Sequence, residues 1–488
     1  MTSRIAMMAW PFVALLAFST FRASVAVSVT VLGGVLLLPG NYAFDLPMIP
    51  DIDHFRMSAL SALLAGLLLR SRSARIPAGS RAFLLLPAMA AAFAATTALL
   101  NRDPLALPDR TLPGMALHDL VSSVLSQLLD YGVPFVLGML FFRRRRDLSD
   151  LVACMAAAGV CYSPLILFEL RMSPDLHRIV YGVLHTFDHT MTRRFGGWRP
   201  VVFLPHGLAL AMFVLTAACA AAVAWKARLR RVLGIPWQAI LAFLATLFVA
   251  CKSLGSLVYG AVVLPALAMS RPAAIARIAA ILAVLVLAYP ALRVLGWFPT
   301  EFLVETAERI DPLRAQSLDF RFENEELLVE KLSLRPWFGW GTWGRNRSYD
   351  PVTGEDVSTT DGRWIIVMGA QGVLGFAAVF GMLVVPVFSV WWNLSRFRSA
   401  SSRHLLAGSS LLLMVNVVDL LPNGFLLTST IMLSGALASL VPGMLREQAR
   451  AAREAPAGEP GCAPVPARRE EAPVRLGEEL LRGARRSG

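Results

Sequence analysis

The stretch VVFLPHGLALAMFVLTAACAAAVAW, residues 201–225, runs directly into Lys226-Ala-Arg-Leu-Arg-Arg231. His206 is its one ionisable group apart from a buried-type cysteine. An uninterrupted apolar run of roughly 20 residues or more is long enough to cross the hydrocarbon core of a bilayer as a helix. A cluster of cations at its end marks the cytoplasmic side. The unit recurs. Apolar runs lie at about 5–20, 23–39, 57–69, 82–100, 119–142, 148–168, 200–225, 237–251, 256–269, 277–298, 364–392, 405–421 and 425–444.

Composition agrees. Of 488 residues, 56% are apolar and only 16% charged, against about 25% charged in a soluble protein. Mean hydropathy is +0.59. A disordered chain, a fibrous repeat and an ordinary soluble enzyme are excluded, and the fold class expected is all-α, a polytopic bundle of about 12–13 spans. The net charge of +13 does not point to nucleic acid. Lys226, Lys252 and Lys331 are the only lysines, and the arginines cluster between apolar runs, without the interleaved aromatics of a single-strand binder. Cys154, Cys161, Cys219 and Cys251 fall in apolar runs and Cys462 in the polar tail, a pattern that implies no disulfide framework.

The clusters are Arg70 to Arg81, Arg143 to Arg146, Lys226 to Arg231, Arg271 with Arg277, and Arg396 to Arg403. Every second connection carries one, which puts all five in the cytoplasm. A polytopic domain over 1–445 then has outer loops at 171–199 and 299–363, the latter with an acidic excess. A cytoplasmic tail, 446–488, reads as disordered from its Ala, Pro, Glu and Arg. The N-terminus is open to two readings: strict alternation puts it outside, whereas a broken or re-entrant pair over 5–38 puts it inside. No small-residue cleavage site follows Ile5–Phe18, so that run is read as a span rather than a signal peptide.

The large loop predicts a helix over Phe320–Arg335, with Arg321, Glu325, Leu328, Leu332 and Arg335 at spacings of three and four. Pro336 ends it, because the residue before a proline is pushed out of the α region. Trp337-Phe-Gly-Trp-Gly-Thr-Trp-Gly344 follows, with three glycines suited to turns closed to other residues and three tryptophans suited to a membrane interface.

The series Arg321, a short helix, Pro336-Trp-Phe-Gly-Trp-Gly341, a polar gap and Gly369-Ala-Gln-Gly-Val-Leu-Gly375 resembles the O-antigen ligase and O-antigen polymerase superfamily over about 320–375, with a weaker echo over 190–260. The resemblance implies a bacterial inner-membrane, multi-pass protein with a cytoplasmic C-terminus. It implies an undecaprenyl-diphosphate-linked glycan as donor, a glycan or lipid as acceptor, and a ligase or polymerase reaction at the outer face in cell-surface polysaccharide synthesis. The family's histidine before the glycine-rich span is replaced by Thr360-Asp-Gly-Arg-Trp364, and its Ser-Arg-Gly pattern by Lys252-Ser-Leu-Gly255.

Transfer from a polyprenyl diphosphate builds negative charge on the leaving phosphate, which guanidinium groups stabilise in bidentate geometry. Arg194, Arg199 and Arg321 are the expected diphosphate ligands. Asp361, standing where the family histidine would be, is the expected acceptor base, with Arg321 as its catalytic partner. His206, Lys252 and Arg363 form a second tier, and Glu169 and Asp419 are expected to face inward. His177, His185 and His189 with Asp188 are expected to be solvated interfacial groups, with no metal and no cofactor. Two other functions stay open: a flippase for a lipid-linked glycan, and a non-catalytic subunit of polysaccharide assembly.

Overall fold

In a computed structural model the chain is described over residues 1–47, 49–71, 74–183, 192–194, 196–232, 234–309 and 311–454, the side chains of Arg194, Leu313, Arg314 and 451–454 excepted. It is helical. The helices are α1 (Thr2–Thr20), α2 (Ala23–Leu37), α3 (His54–Arg70), α4 (Leu85–Leu100), α5 (Leu117–Gln127), α6 (Val133–Phe141), α7 (Arg145–Met172), α8 (Leu176–Tyr181) and α9 (Gly207–Lys226). They continue as α10 (Trp237–Ala250), α11 (Leu254–Met269), α12 (Pro272–Val294), α13 (Thr300–Glu308), α14 (Pro312–Ser333), α15 (Arg363–Asn393), α16 (Ala400–Asp419) and α17 (Thr428–Glu454). Among the described residues, sheet is confined to three two-stranded hairpins in the loops. Among the described residues, eight helical segments are long and apolar enough to cross a membrane, and α2, α10 and α11 are shorter apolar helices.

The apolar stretch 201–225 forms, from Gly207 on, α9, the central post. It is buried almost all round, and its alanines let α7, α10, α11 and α16 approach closely. The same device joins α6 to α17, where Gly138 lies on the backbone of Met432 and Gly435 on that of Phe135.

The five arginine clusters gather at one end of the bundle. There Arg70 donates to the carbonyls of Phe18 and Phe21, Arg145 to Ser401, Ser401 to the carbonyl of Ala227 and Lys226 to that of Ala268. Arg144 pairs with Glu447 of α17 at 3.5 Å. The long polar connections gather at the opposite end. The chain turns between α1 and α2 at the arginine end, where Arg22 meets Asp150 at 3.3 Å. Thr2 therefore starts at the loop end, the arrangement expected from strict alternation.

Several boundaries differ from expectation. The run at 200–225 becomes helical only at Gly207, because Pro200 and Pro205 interrupt it and Glu169 holds the extended backbone through the amides of Val201 and Val202, each at 2.8 Å. Helix α17 passes the expected boundary at 445 and reaches Glu454, while the rest of the tail lies outside the described residues. His177 is buried rather than solvated, its Nδ1 2.8 Å from the carbonyl of Val183. His185, Asp188 and His189 lie outside the described residues.

Candidate functional site

The two glycine motifs of the large loop and the following helix bind one another. Helix α15 is broken at Gly372, whose φ of 68° and ψ of −170° interrupt the intrahelical ladder. The carbonyls of Gly369 and Ala370 accept from the amides of Trp340 and Gly341, both at 2.9 Å. The amides of Val373 and Leu374 donate to the carbonyls of Pro336 and Trp337. The turn thus satisfies backbone groups that a break in a spanning helix would otherwise leave bare. A Cβ on Gly372 would collide with the backbone of Trp337, and one on Gly339 would lie 2.7 Å from that of Ala370. From below, Thr97 donates to Phe338 and Asn101 to Gly339, and Asn101 in turn accepts from Arg335. Trp337 and Trp343 are exposed as expected of an interface belt, but Trp340 is not part of it. It is buried beneath Lys331 and Arg335, whose cations lie 4.1 and 4.3 Å from its ring centroid.

The expected helix over 320–335 forms as α14, which buries Glu325, Leu328 and Leu332. Glu325 accepts from Tyr289, Arg293 and Trp364. Burial pushes its carboxyl above the usual range, opposed by the Arg293 charge. Arg321, half-exposed on the same helix, stands 3.4 Å from the carboxylate of Asp361 and donates to the carbonyl of Pro422.

Pro422 belongs to the strap between α16 and α17, which the sequence reading did not single out. The strap collects most of the expected residues. The Arg363 amide donates to the carbonyls of Leu420 and Asn423, and Gly424 touches the carbonyl of Asp361. His206 caps α9 through the Leu208 amide and stacks on Phe425 with ring centroids 5.4 Å apart. The Arg199 side chain lies against Gly207, and the Lys252 ammonium lies against Gly197. Lys252 occupies a left-handed backbone position, φ 53°, at the bend between the short helices α10 and α11. At about 1.5 Å per residue these helices fall short of a core about 30 Å thick, so the bend sits below the loop end. Arg194 lies in the hairpin opposite Gly197. Asp419 is buried and inward-facing, as is Glu169.

Arg363 points away from Asp361. Its Nε and Nη2 donate to the hydroxyl oxygen of Tyr131 at 3.0 and 2.6 Å, and Tyr131 sits in a π-helical turn, Leu128–Gly132, that joins α5 to α6. Such turns mark functional positions more often than ordinary helix does. Here Arg363 lines a cavity of about 930 Å³ at the loop end. Arg56 shares it, held by Asp130 in a bidentate pair at 2.6 and 2.9 Å. So does Arg345, which is almost wholly enclosed and donates to the carbonyls of Trp340 and Pro113. Gln371 offers a buried Oε1 without a hydrogen-bond partner among the described residues. On another wall, His118 lies 3.1 Å from Asp119, whose second oxygen accepts from the Ala116 amide. A smaller cavity of about 270 Å³ continues past Arg56, Asp130 and Arg363 to Pro205 and Phe425.

Arg56, Arg345, His118 and Asp119 were absent from the sequence reading. A signal existed. Each is an ionisable residue at the loop end of an apolar run or turn, on the side where the arginine clusters are not. The arrangement can hold an anion against guanidinium groups and present a histidine oriented by a carboxylate to a group in the same space.

Fold and composition define the class: a multi-pass, all-α membrane protein with an arginine-bearing cavity at one end of its bundle. In comparisons with known proteins, no family model and no curated sequence matches the chain.

Proposed function

We propose that this protein transfers a glycan from a polyprenyl diphosphate to an acceptor hydroxyl at the outer face of a bacterial inner membrane, as an O-antigen ligase or polymerase does. The observation that carries the reading is the cavity walled by Arg56, Arg345 and Arg363, at the end opposite the arginine clusters. In this orientation the chain crosses about 12–13 times with the α17 end in the cytoplasm. The acceptor oxygen attacks the anomeric carbon, the carbon–oxygen bond to phosphate breaks, and undecaprenyl diphosphate leaves with inversion at that carbon. The arginines stabilise the charge that collects on the departing diphosphate. Arg321, with Arg199 and Lys252 on the far side of the strap, extends the basic surface toward the lipid. The acceptor proton passes to a base, either Asp361 or, within the cavity, His118 oriented by Asp119.

The test uses purified protein in proteoliposomes with an undecaprenyl-diphosphate-linked glycan and a glycan or lipid acceptor. A new glycosidic bond with equimolar free undecaprenyl diphosphate is the expected result. The broken helix α15 favours one other reading, a flippase, because transporters build substrate sites from interrupted helices. Movement of the donor between leaflets without a new bond would establish that reading and overturn the transfer.

A further inference from the structure

At the arginine end, a second cavity of about 410 Å³ opens between the starts of α12 and α16 and the end of α15. Arg271, Arg277, Arg403 and His404 line it, with Trp391 and Ser395 on the α15 side. Lys226 and Arg228 add to the positive field around His404. Among the described residues no carboxylate lies within ion-pair distance of any of these six groups, whereas Arg144 and Arg22 at the same end have acidic partners. The buried Nε of Arg403 and Nδ1 of His404 have no hydrogen-bond partner among the described residues. Such groups are costly to leave unmet away from water.

The backbone adds to the same field. Helices α12 and α16 both begin here, at Pro272 and Ala400, and present the positive ends of their dipoles to this space. Ser399 caps α16, and its side-chain oxygen accepts from the Ser402 amide. Trp391, which lines the cavity, is exposed, the position aromatic side chains take at the level of lipid headgroups. Apolar Leu394, Pro272 and Ala400 complete the wall.

Concentrated positive charge without a protein counter-ion, enclosed by helix N-termini, is complementary to a multivalent oxyanion. A positive-inside signal explains why arginines are here. It does not explain why Arg403 and His404, both lining the cavity, keep buried nitrogens without hydrogen-bond partners among the described residues. We propose that this cavity binds a phosphate-bearing anion, and that its exposed tryptophan makes the headgroup of an acidic phospholipid the occupant. The site lies at the end of the bundle opposite the proposed transfer site and does not depend on it.

The test measures the thermal midpoint of the purified full chain in a neutral detergent with added phosphatidylglycerol, phosphatidylcholine or inorganic phosphate. Phosphatidylglycerol should raise the midpoint saturably and phosphatidylcholine should not. Arg277→Gln and Arg403→Gln should each weaken the apparent affinity about tenfold or more, the loss of one charge-assisted contact. Arg347→Gln, at the opposite end, should leave it unchanged. Arg277 is exposed, so its substitution does not threaten the fold and decides the matter if Arg403→Gln does not accumulate. A saturable response to millimolar phosphate that competes with phosphatidylglycerol would support the phosphate chemistry and move the source to a soluble anion. Equal responses to the two lipids with phosphate silent, or an unaltered phosphatidylglycerol response in both variants, would overturn the site.

Discussion

Arg321 Nε and the carboxylate of Asp361 face each other at 3.4 Å, while Arg321 Nη1 reaches the carbonyl of Pro422 at 3.2 Å. One guanidinium therefore ties α14, the segment ahead of α15 and the strap after α16. Lysine keeps the charge but has no fork with which to serve two acceptors. Both partners are about one-third exposed, and a surface pair of this kind contributes roughly 0–1 kcal/mol to stability.

Arg321→Lys should accordingly leave the amount of protein in membranes unchanged. Transfer should fall roughly 10–150-fold, the loss of one charge-assisted contact. Surface glycan at the wild-type level with normal expression would make Arg321 an anchor of the loop and nothing more.

Gly372→Ala should prevent accumulation of folded protein. A left-handed position costs a non-glycine residue about 1–3 kcal/mol, and here the added carbon also meets the backbone of Trp337, which four hydrogen bonds of the docked turn hold in place. Gly255→Ala supplies the control, since nothing lies within 4 Å of its would-be Cβ. Yield after size-exclusion chromatography separates the two outcomes. Normal yield of the Gly372 variant would show that the broken helix tolerates repair.

The contrast between Gly372 and Arg56 shows what the sequence could and could not reveal. The motifs 336–341 and 369–375 were readable because each carries glycines at short spacing, and glycine is informative wherever backbones must approach. That they bind one another was not readable, because hydrogen bonds between main-chain groups leave no side-chain signature. The spans were legible from hydropathy, since a helix in lipid satisfies its own backbone. Arg56 was hidden by position. A lone arginine at the head of an apolar run looks like an end marker until Asp130, far along the chain, turns it into a cavity. The strap from Leu420 to Leu426 was hidden for the opposite reason: its role is to offer carbonyls and one ring, and any residue offers a carbonyl.

Two buried histidines make stability depend on pH. His54, at the head of α3, is 2% exposed. Burial, reinforced by His177 nearby, pushes its pKa down from 6.5 to about 4. Burial lowers that of His177 too. As pH falls, the opened chain therefore takes up protons before the folded one does. The stability is complete above 6.5 and drains away as pH approaches about 4, by up to roughly 3 kcal/mol for His54 alone. The thermal midpoint should fall across that window. His54→Leu, which removes two buried ring nitrogens that lack partners among the described residues, should flatten most of the slope. A level wild-type curve down to pH 4.5 would show that His54 meets water.

The last prediction assigns the base. An acceptor hydroxyl attacking the anomeric carbon must lose a proton late in the transfer, and a positioned general base contributes about 10²–10⁴-fold. Asp361 is engaged by Arg321 and does not line the large cavity. His118 does line it, its Nε2 3.1 Å from one carboxylate oxygen of Asp119, whose other oxygen accepts from the Ala116 amide at 2.8 Å. That is the arrangement in which a carboxylate holds an imidazole in one orientation for proton transfer. His118→Asn should therefore reduce transfer by about 10²-fold or more, with donor binding and protein level unchanged, because the exposed ring contributes little to the fold. Asp119→Asn should give an intermediate loss, since the ring remains but is no longer held by a charge. Asp361→Asn should cost less than His118→Asn, because asparagine can still accept from Arg321. The measurement is initial rate in proteoliposomes at saturating donor. A near-complete loss in the Asp361 variant with a wild-type rate in the His118 variant would return the proton to Asp361 and place the acceptor on the strap side of Arg363.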